Sequence, residues 1–183
     1  TDNNKEKGKI ECVPTFDLRI TQDIISRLDQ EEEEEGLGGE CIHLVSFGGW
    51  NGPHLPHKVD PTVLYQSWKR SFGDIFDGFD WDLEGHDDLD SPTNVFTVDC
   101  LDWMGQMSAM AKKDGYIVGM APPQSYLDIH SNNFSRYLNL TDNTRTEWHS
   151  DFHYYGSNSY AYLLSKYPSS IDFVSIQFYE SYS

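Results

Sequence analysis

Three carboxylates alternate along one short apolar segment, and their spacing suits acid catalysis. Residues 77–84 read DGFDWDLE, so Asp80, Asp82 and Glu84 are separated by single residues. Alternate side chains of a β-strand point to the same face, with successive ones about 6.6–6.8 Å apart. The three acids would therefore share one face, while the aromatic and leucine side chains between them occupy the other. Neighbouring carboxylates repel each other, so one of them can keep a proton near neutral pH and donate it.

Two other interpretations of this acidic segment stand beside catalysis. It could be a surface strand whose clustered acids have only a structural role. It also resembles the start of a calcium-binding EF-hand loop, but the bidentate acid expected at loop position twelve would fall on Ser91. Trp81 suits a strand better than a loop, which further disfavours calcium binding.

The segments around these acids alternate between strand and helix patterns. Helices are predicted at residues 21–28, 60–73, 94–114 and about 158–167. Candidate strands are short apolar runs at residues 10–14, 41–47, 76–84, 116–121 and 172–179. A run of glutamates at residues 31–35 is interpreted as a solvated helix end or an insertion. The alternation predicts an α/β fold with a parallel sheet and right-handed crossovers.

A parallel sheet of this kind is usually either doubly wound or closed into an eight-fold barrel. No glycine-rich phosphate loop opens the first helix, which disfavours the doubly wound sheet. A barrel normally takes about 250 residues, whereas this chain has 183. If the sheet is a barrel, the chain covers about five of its strand-helix units.

Residues 77–84 resemble the DGxDxDxE signature of glycoside hydrolase family 18, the family of chitinase-like enzymes. Residues 45–50 (VSFGGW) resemble the family's SxGG strand. Residues 120–124 (MAPPQ) and 176–179 (IQFY) resemble segments of plant class III chitinases, in the same order along the chain. The resemblance implies a (β/α)8 TIM barrel, of which residues 9–183 would be part, after a disordered segment at residues 1–8.

The resemblance assigns the chemistry to four side chains. Glu84 would be the general acid that protonates the oxygen of a β-1,4 glycosidic bond in chitin. Asp82 would accept the N–H of the sugar's acetamido group, whose own oxygen attacks C1 in a substrate-assisted, retaining reaction. Asp80 would share a proton with Asp82, and Tyr179 would donate a hydrogen bond to the acetamido group. The three acids are expected to titrate as a coupled set.

Seven further residues would bind the sugar or shape the backbone. Those placed at the substrate are Gln177, Gln124, Gly48, Gly49 and Trp50. Trp50 would either stack on a pyranose ring or pack in the core. The two glycines would allow close packing near the sugar or simply end a strand. Asp77 and Gly78 are expected to let the backbone turn tightly before the acidic strand.

The sequence also departs from the family pattern. Glu180 stands where class III chitinases have Asn, which would add a charge near the site. The long polar segment at residues 122–156 is expected to form a loop that alters specificity. The strand that commonly supplies a tryptophan floor for the sugar does not lie within the 183 residues. Two alternative functions stay open: an endo-β-N-acetylglucosaminidase, and a non-catalytic carbohydrate-binding or inhibitor protein on the same scaffold. The retained Glu84 favours an enzyme.

The net charge and the residue composition disfavour several classes of binding partner. A formal net charge of −17 repels phosphate backbones and argues against nucleic acid as a partner. No apolar run has the length of a membrane span, and the three cysteines lack metal-ligand spacing. The family resemblance implies a glycan containing N-acetylglucosamine as the partner, and it implies no metal or organic cofactor. Secretion is expected from that substrate, sequons at Asn133 and Asn139 permit glycosylation, and the oligomeric state is left open.

Overall fold

The computed structural model describes residues 12–36, 41–54, 59–88, 90–94, 96–127 and 158–178. Within them helices and strands alternate, as α1 Leu18–Glu35, β1 Leu44–Gly49, α2 Pro61–Phe72, β2 Gly78–Leu83, α3 Val98–Lys113, β3 Ile117–Met120, α4 Ser159–Lys166 and β4 Phe173–Val174. Short 3-10 turns lie at Pro92–Asn94 and Gln124–Tyr126. The segment predicted to be disordered at residues 1–8 and the two sequons lie outside the described residues.

The strands form one sheet in the order β1-β2-β3-β4, and every neighbouring pair is parallel. The connections from β1 to β2 and from β2 to β3 each contain a helix, which is how parallel neighbours are joined. The predicted α/β fold with a parallel sheet is therefore confirmed. The described part of the chain shows four strands of that sheet and does not show a closed barrel.

Local capping explains why α2 has its predicted bounds. The Asp60 carboxylate accepts a hydrogen bond from the Thr62 backbone N–H at 2.8 Å, which satisfies one of the free donors at the helix start. Pro61 occupies the first turn, where its missing N–H is no loss. Gly73 follows the last residue and donates its N–H to the Lys69 carbonyl. The sequence prediction for this helix is confirmed.

Three predicted elements differ from the structure. Residues 12–14 of the first predicted strand are not in a strand, because the Cys12 N–H binds the Ser67 hydroxyl of α2 rather than a neighbouring strand. Helix α1 is longer than predicted and runs through the glutamates at 31–35. Helix α3 begins at Val98, since Thr97 caps it while Asn94 binds the loop after β2.

The last predicted strand is also shorter than expected. Only Phe173–Val174 forms regular strand structure, although residues 172–179 were predicted. Backbone bonds nevertheless continue along β3 and its extension, with the Ser175 N–H donating to Met120 and the Gln177 N–H donating to Pro122. The chain therefore stays beside β3 as far as Gln177.

The apolar face of β2 packs under the helices, as predicted. Phe79, Trp81 and Leu83 are almost fully buried. The Trp68 ring of α2 meets Phe79 edge-on at 5.0 Å, and the Trp81 indole N–H donates to the Ser108 hydroxyl of α3 at 2.8 Å. Because this face is fixed in the core, the alternate residues of β2 must lie on the opposite face.

Gly78 allows β3 to approach β2 at the start of the acidic strand. A Cβ atom there would lie 2.7 Å from the Ile117 carbonyl carbon and 2.8 Å from its nitrogen. Since backbone atoms cannot move aside, we expect Gly78→Ala to lower the free energy of unfolding by about 3 kcal/mol.

Gly119→Ala is the matched control for this substitution. A Cβ at Gly119 meets the partly exposed Phe173 ring at 2.6 Å, and a side chain can rotate away. The expected loss is about 1 kcal/mol. Urea denaturation measures both variants, and equal losses would contradict this role of Gly78.

Candidate active site

The acidic face of β2 is bordered by small residues on both neighbouring strands. Asp80 lies between Ser46 of β1 and Gly119 of β3 in the register of the sheet. Asp82 lies beside Gly48 of β1. Side chains at paired positions of parallel strands share a face, so no bulky neighbour on β1 covers the carboxylates.

Gly48 is required because the β1 backbone passes close to Asp82. Its φ is 116°, and a Cβ atom would lie 2.7 Å from the Asp82 carbonyl carbon and 2.8 Å from the Leu83 Cα. Gly49 has a φ of 81° but faces open space. Of the two interpretations from sequence, close packing beside the acids fits Gly48, and a strand end fits Gly49.

Glu84 follows β2 directly and is only 3% exposed. Two hydrogen bonds fix its backbone from behind. The Tyr160 hydroxyl donates to the Leu83 carbonyl at 3.0 Å, and His54 Nε2 donates to the Glu84 carbonyl at 2.7 Å. The position of this carboxylate is therefore set by side chains from two distant segments.

The rings that hold Glu84 belong to one aromatic group. His54 contacts Phe96 with ring centroids 4.3 Å apart, and Phe96 meets Tyr126 edge-on at 5.5 Å. Tyr126 in turn stacks with Tyr160 at 6.0 Å. Phe96, Tyr126 and Tyr160 are fully buried, which makes this group a rigid support behind the acid.

Gln177 connects β4 to the acids of β2. Its Nε2 atom donates to Asp82 Oδ1 at 2.6 Å, contacts Glu84 Oε1 at 3.4 Å and also donates to the Ala121 carbonyl. The backbone of Gln177 pairs with Pro123, next to the 3-10 turn that holds Gln124. The structure thus brings together Asp82, Glu84 and Gln177, which lie far apart in the sequence.

The protonation of the acidic pair follows from its surroundings. Burial raises the pKa of Asp82 to about 7, and the charge of Glu84 and a hydrogen bond to it act in the same direction. The hydrogen bond from Gln177 opposes this rise. Burial also raises the pKa of Asp80, against a hydrogen bond from Ser46. With its pKa raised to about 7, the Asp82 carboxyl group keeps a proton in part of the molecules near neutral pH.

The other residues predicted for the site lie around these acids. Trp50 follows β1 and donates its indole N–H to Asp87 at 2.8 Å. Gln124 donates its backbone N–H to the Gln177 carbonyl at 3.0 Å. Tyr179 and Glu180 lie outside the described residues, so the assigned role of Tyr179 stays a prediction.

Asp77 lies in a bend directly before β2, and Gly78 is the first residue of that strand. Gly78 does not have a positive φ, and its missing side chain serves the approach of β3. The Asp77 carboxylate accepts the His43 backbone N–H at 2.8 Å, which ties the start of β1 to the start of β2. The two residues therefore also align β1, β2 and β3 at the end of the sheet opposite to Glu84.

Three residues that hold the site were not predicted from the sequence. His54 and Asp87 lie in loops, and Tyr160 lies at the start of α4. Asp87, three residues after the acidic motif, was a usable signal, since the carboxylates of loop aspartates often accept hydrogen bonds from nearby backbone groups. Nothing local in the sequence marks His54 or Tyr160.

The described residues contain no group of histidine, cysteine, aspartate and glutamate side chains that could hold a metal ion. Among the same residues, no helix is long and apolar enough to cross a membrane.

Comparisons with known proteins show the fold only. No protein-family model matches the sequence, and no curated protein does either. A solved structure, the C-terminal domain of ChiA from Legionella pneumophila, superposes with a TM-score of 0.57 at 18% sequence identity. The match covers 93% of this chain and 47% of that one, so the chain spans about half the length of this structural neighbour.

Removing the Tyr160 hydroxyl should disturb the acid without changing the site's charges. In Tyr160→Phe the Leu83 carbonyl loses its buried donor, which should lower the free energy of unfolding by about 1–2 kcal/mol. Because Glu84 is the next residue, we also expect kcat for the glycosidase activity that the family resemblance implies to fall about 3- to 10-fold.

Tyr162→Phe is the control on the same helix. Its hydroxyl donates to Asp102 at 2.6 Å, in an ion-pair cluster between α3 and α4. This variant should lose similar stability and keep its kcat. Equal kcat in both variants would show that Tyr160 only stabilises the fold.

Proposed function

We propose that this protein is a glycoside hydrolase that cleaves β-1,4 bonds between N-acetylglucosamine units of chitin or chitooligosaccharides. The observation that carries the proposal is the buried Glu84 carboxyl group at the carboxyl end of a central parallel strand, beside Asp82 and with the Gln177 amide reaching both acids. A carboxyl group that keeps a proton near neutral pH can act as a general acid there.

In this mechanism Glu84 transfers its proton to the oxygen of the glycosidic bond as the bond from that oxygen to C1 breaks. The oxygen of the sugar's acetamido group bonds to C1 and gives an oxazolinium ion. Asp82, freed to accept the acetamido N–H, stabilises the positive charge. Water then attacks C1 as the bond from C1 to the acetamido oxygen breaks, and it gives a proton to Glu84. Two successive displacements at C1 retain its configuration.

The surroundings of the acids support the remaining roles. Asp80, whose pKa is raised by burial, would share the proton of Asp82 in the later stages. Gln177 would orient Asp82 and line the sugar site. Gln124, whose backbone N–H binds the Gln177 carbonyl, and Tyr179, two residues after Gln177 in the sequence, would line it too. Gly48 keeps side chains of β1 away from Asp82. No cofactor enters this scheme.

We further propose that the sheet is part of a (β/α)8 barrel and that the protein acts outside the cell. All four strands are parallel and follow one another in chain order, as barrel strands do. The fold shared with the C-terminal domain of Legionella ChiA supports a common architecture. Chitin is extracellular in most settings, which is the ground for a secreted location.

A pair of matched substrates tests the proposed function. Fluorogenic chitotrioside and cellotrioside carry the same bond and leaving group and differ in the acetamido groups. Because the acetamido oxygen is the nucleophile, we expect hydrolysis of the chitotrioside and less than about 1% of that rate on the cellotrioside.

Two outcomes would contradict this function. Equal rates on both substrates would indicate a carboxylate nucleophile instead of substrate assistance. Binding of chitotriose without any hydrolysis would favour the non-catalytic, lectin-like alternative on the same scaffold.

A further inference from the structure

The loops that follow β1 and β2 are joined by a closed set of hydrogen bonds. Asp87 Oδ1 accepts the Trp50 indole N–H at 2.8 Å, and Asp87 Oδ2 accepts the Asn51 side-chain N–H at 2.8 Å. In return, Asn51 Oδ1 accepts the Asp87 backbone N–H at 2.8 Å. We call these three residues the loop clamp.

The loop clamp lies directly beside the proposed general acid. The last paired residues of β1 and β2 are Gly49 and Leu83, so Trp50 and Glu84 are the next residue on each strand. The Asn51 backbone N–H also donates to the Gly85 carbonyl at 3.1 Å. Trp50 is therefore held at the same edge of the sheet as Glu84.

The chemistry of the clamp favours an ionised Asp87. Hydrogen bonds from Asn51 and then from Trp50 lower the pKa of its carboxyl group, because both donors favour the charged form. A carboxylate with donors on both oxygens accepts stronger hydrogen bonds than a neutral group would. The indole ring thus has a fixed donor direction even though Asp87 is exposed to solvent.

We infer that Asp87 is a positioning residue that fixes the Trp50 indole as an aromatic wall for a sugar ring bound beside Glu84. This inference rests on the proposed function and concerns its sugar site. The apolar faces of pyranose rings pack on aromatic rings, and an indole that is already oriented loses less entropy when sugar binds. Asp87 acts on sugar affinity through Trp50 and does not touch the reacting atoms.

Four variants separate this role from a structural one. Trp50→Ala removes the wall, Trp50→Phe keeps a ring but loses the N–H, and Asp87→Ala loses the acceptor. Asp88→Ala removes a neighbouring exposed carboxylate outside the clamp. The quantities to measure are KM and kcat on fluorogenic chitotrioside and the calorimetric Kd for chitotriose.

The expected KM and Kd rise about 10-fold in Trp50→Ala and about 3-fold in both Asp87→Ala and Trp50→Phe, while kcat changes less than 2-fold. The double variant Asp87→Ala with Trp50→Phe should match either single variant, because both remove the same hydrogen bond. Asp88→Ala should equal the wild type.

The indole N–H resonance of Trp50, identified by its loss in Trp50→Phe, checks the clamp without sugar. It should shift as Asp87 is protonated, with a midpoint below the ordinary range for aspartate, and this titration should be absent in Asp87→Ala. Wild-type sugar binding with unchanged KM and Kd in Asp87→Ala would overturn the inference. Wild-type protein that neither binds nor cleaves chitotriose would overturn the proposed function and the inference together, even with the titration intact.

Discussion

Glu84→Gln is expected to lower kcat/KM on chitotetraose about 10³-fold, within the range of about 10²–10⁴ that general acid catalysis contributes. Gln keeps the size of the side chain at a position that is only 3% exposed, so packing should be preserved. It cannot supply a proton to the departing sugar oxygen. Chitotriose should still bind with a Kd within about 3-fold of the wild type.

The leaving group distinguishes a lost acid from a damaged site. An aryl leaving group departs as an anion and needs little protonation, so kcat/KM on fluorogenic chitotrioside should fall only about 10-fold. Steady-state kinetics measures the loss of kcat/KM in Glu84→Gln on chitotetraose and on fluorogenic chitotrioside, and the two losses are then compared. Equal losses on both substrates would mean that Glu84 binds or supports the site without donating a proton. Asp88→Asn, four residues later and exposed, is the control.

Asp82→Asn should make the protein less active and more stable at neutral pH. The pKa of Asp82 rises from an ordinary 3.8 to about 7 because the site buries its charge beside Glu84. Ionising it in the folded state therefore opposes folding, by about 4 kcal/mol at most and about 2 kcal/mol after allowing for solvent at a half-buried group. Asn removes this term, and kcat should fall about 10²-fold as the acetamido group loses a charged acceptor.

The size of this stability difference between the wild type and the Asn variant depends on pH. Below about pH 4 Asp82 is protonated whether folded or unfolded, so the wild type and the Asn variant should be equally stable. As pH rises from 4 through 7, the wild type loses stability that the variant keeps, and the difference reaches about 2 kcal/mol near pH 8. Urea denaturation at pH 4, 6 and 8 measures it.

Asp102→Asn provides a control of opposite sign. Burial acts to raise the pKa of Asp102, but hydrogen bonds from Lys166, Tyr162 and Tyr167 outweigh it and lower that pKa. This variant should lose stability at pH 8 and lose progressively less as pH falls below 4. If Asp82→Asn also destabilises the protein at pH 8, the raised pKa of Asp82 is wrong.

Elements with strong local signals were predictable from sequence. The period-two alternation of residues 77–84 predicted the two faces of β2, and the face predicted to be apolar is buried. Asp60, Pro61 and Gly73 set the bounds of α2 through their backbone preferences. In each case the determining contacts lie within a few residues of the element.

Features that depend on distant contacts were not predictable in the same way. The hydrogen bond from Gln177 to Asp82 joins residues 95 positions apart, and the bond from Tyr160 to Leu83 spans 77. The close approach of β3 to Gly78 could not be predicted, because Ile117, its neighbour on β3, is far away in the sequence. The absent strand at residues 12–14 has the same cause, since a helix side chain took the backbone bond that a strand would need.

The position of β2 in the middle of the sheet makes the acidic strand more resistant to local opening than the segment around Gln177. Its backbone is bonded on both sides, to β1 and β3, while β4 has only two residues in regular strand structure. Amide hydrogens of the acidic strand should therefore exchange only through global unfolding, whereas those near Gln177 should exchange through small local openings. Each such opening removes the Gln177 side chain, which donates to Asp82. Mild heating should therefore disrupt the arrangement of the acids reversibly, at temperatures well below global unfolding.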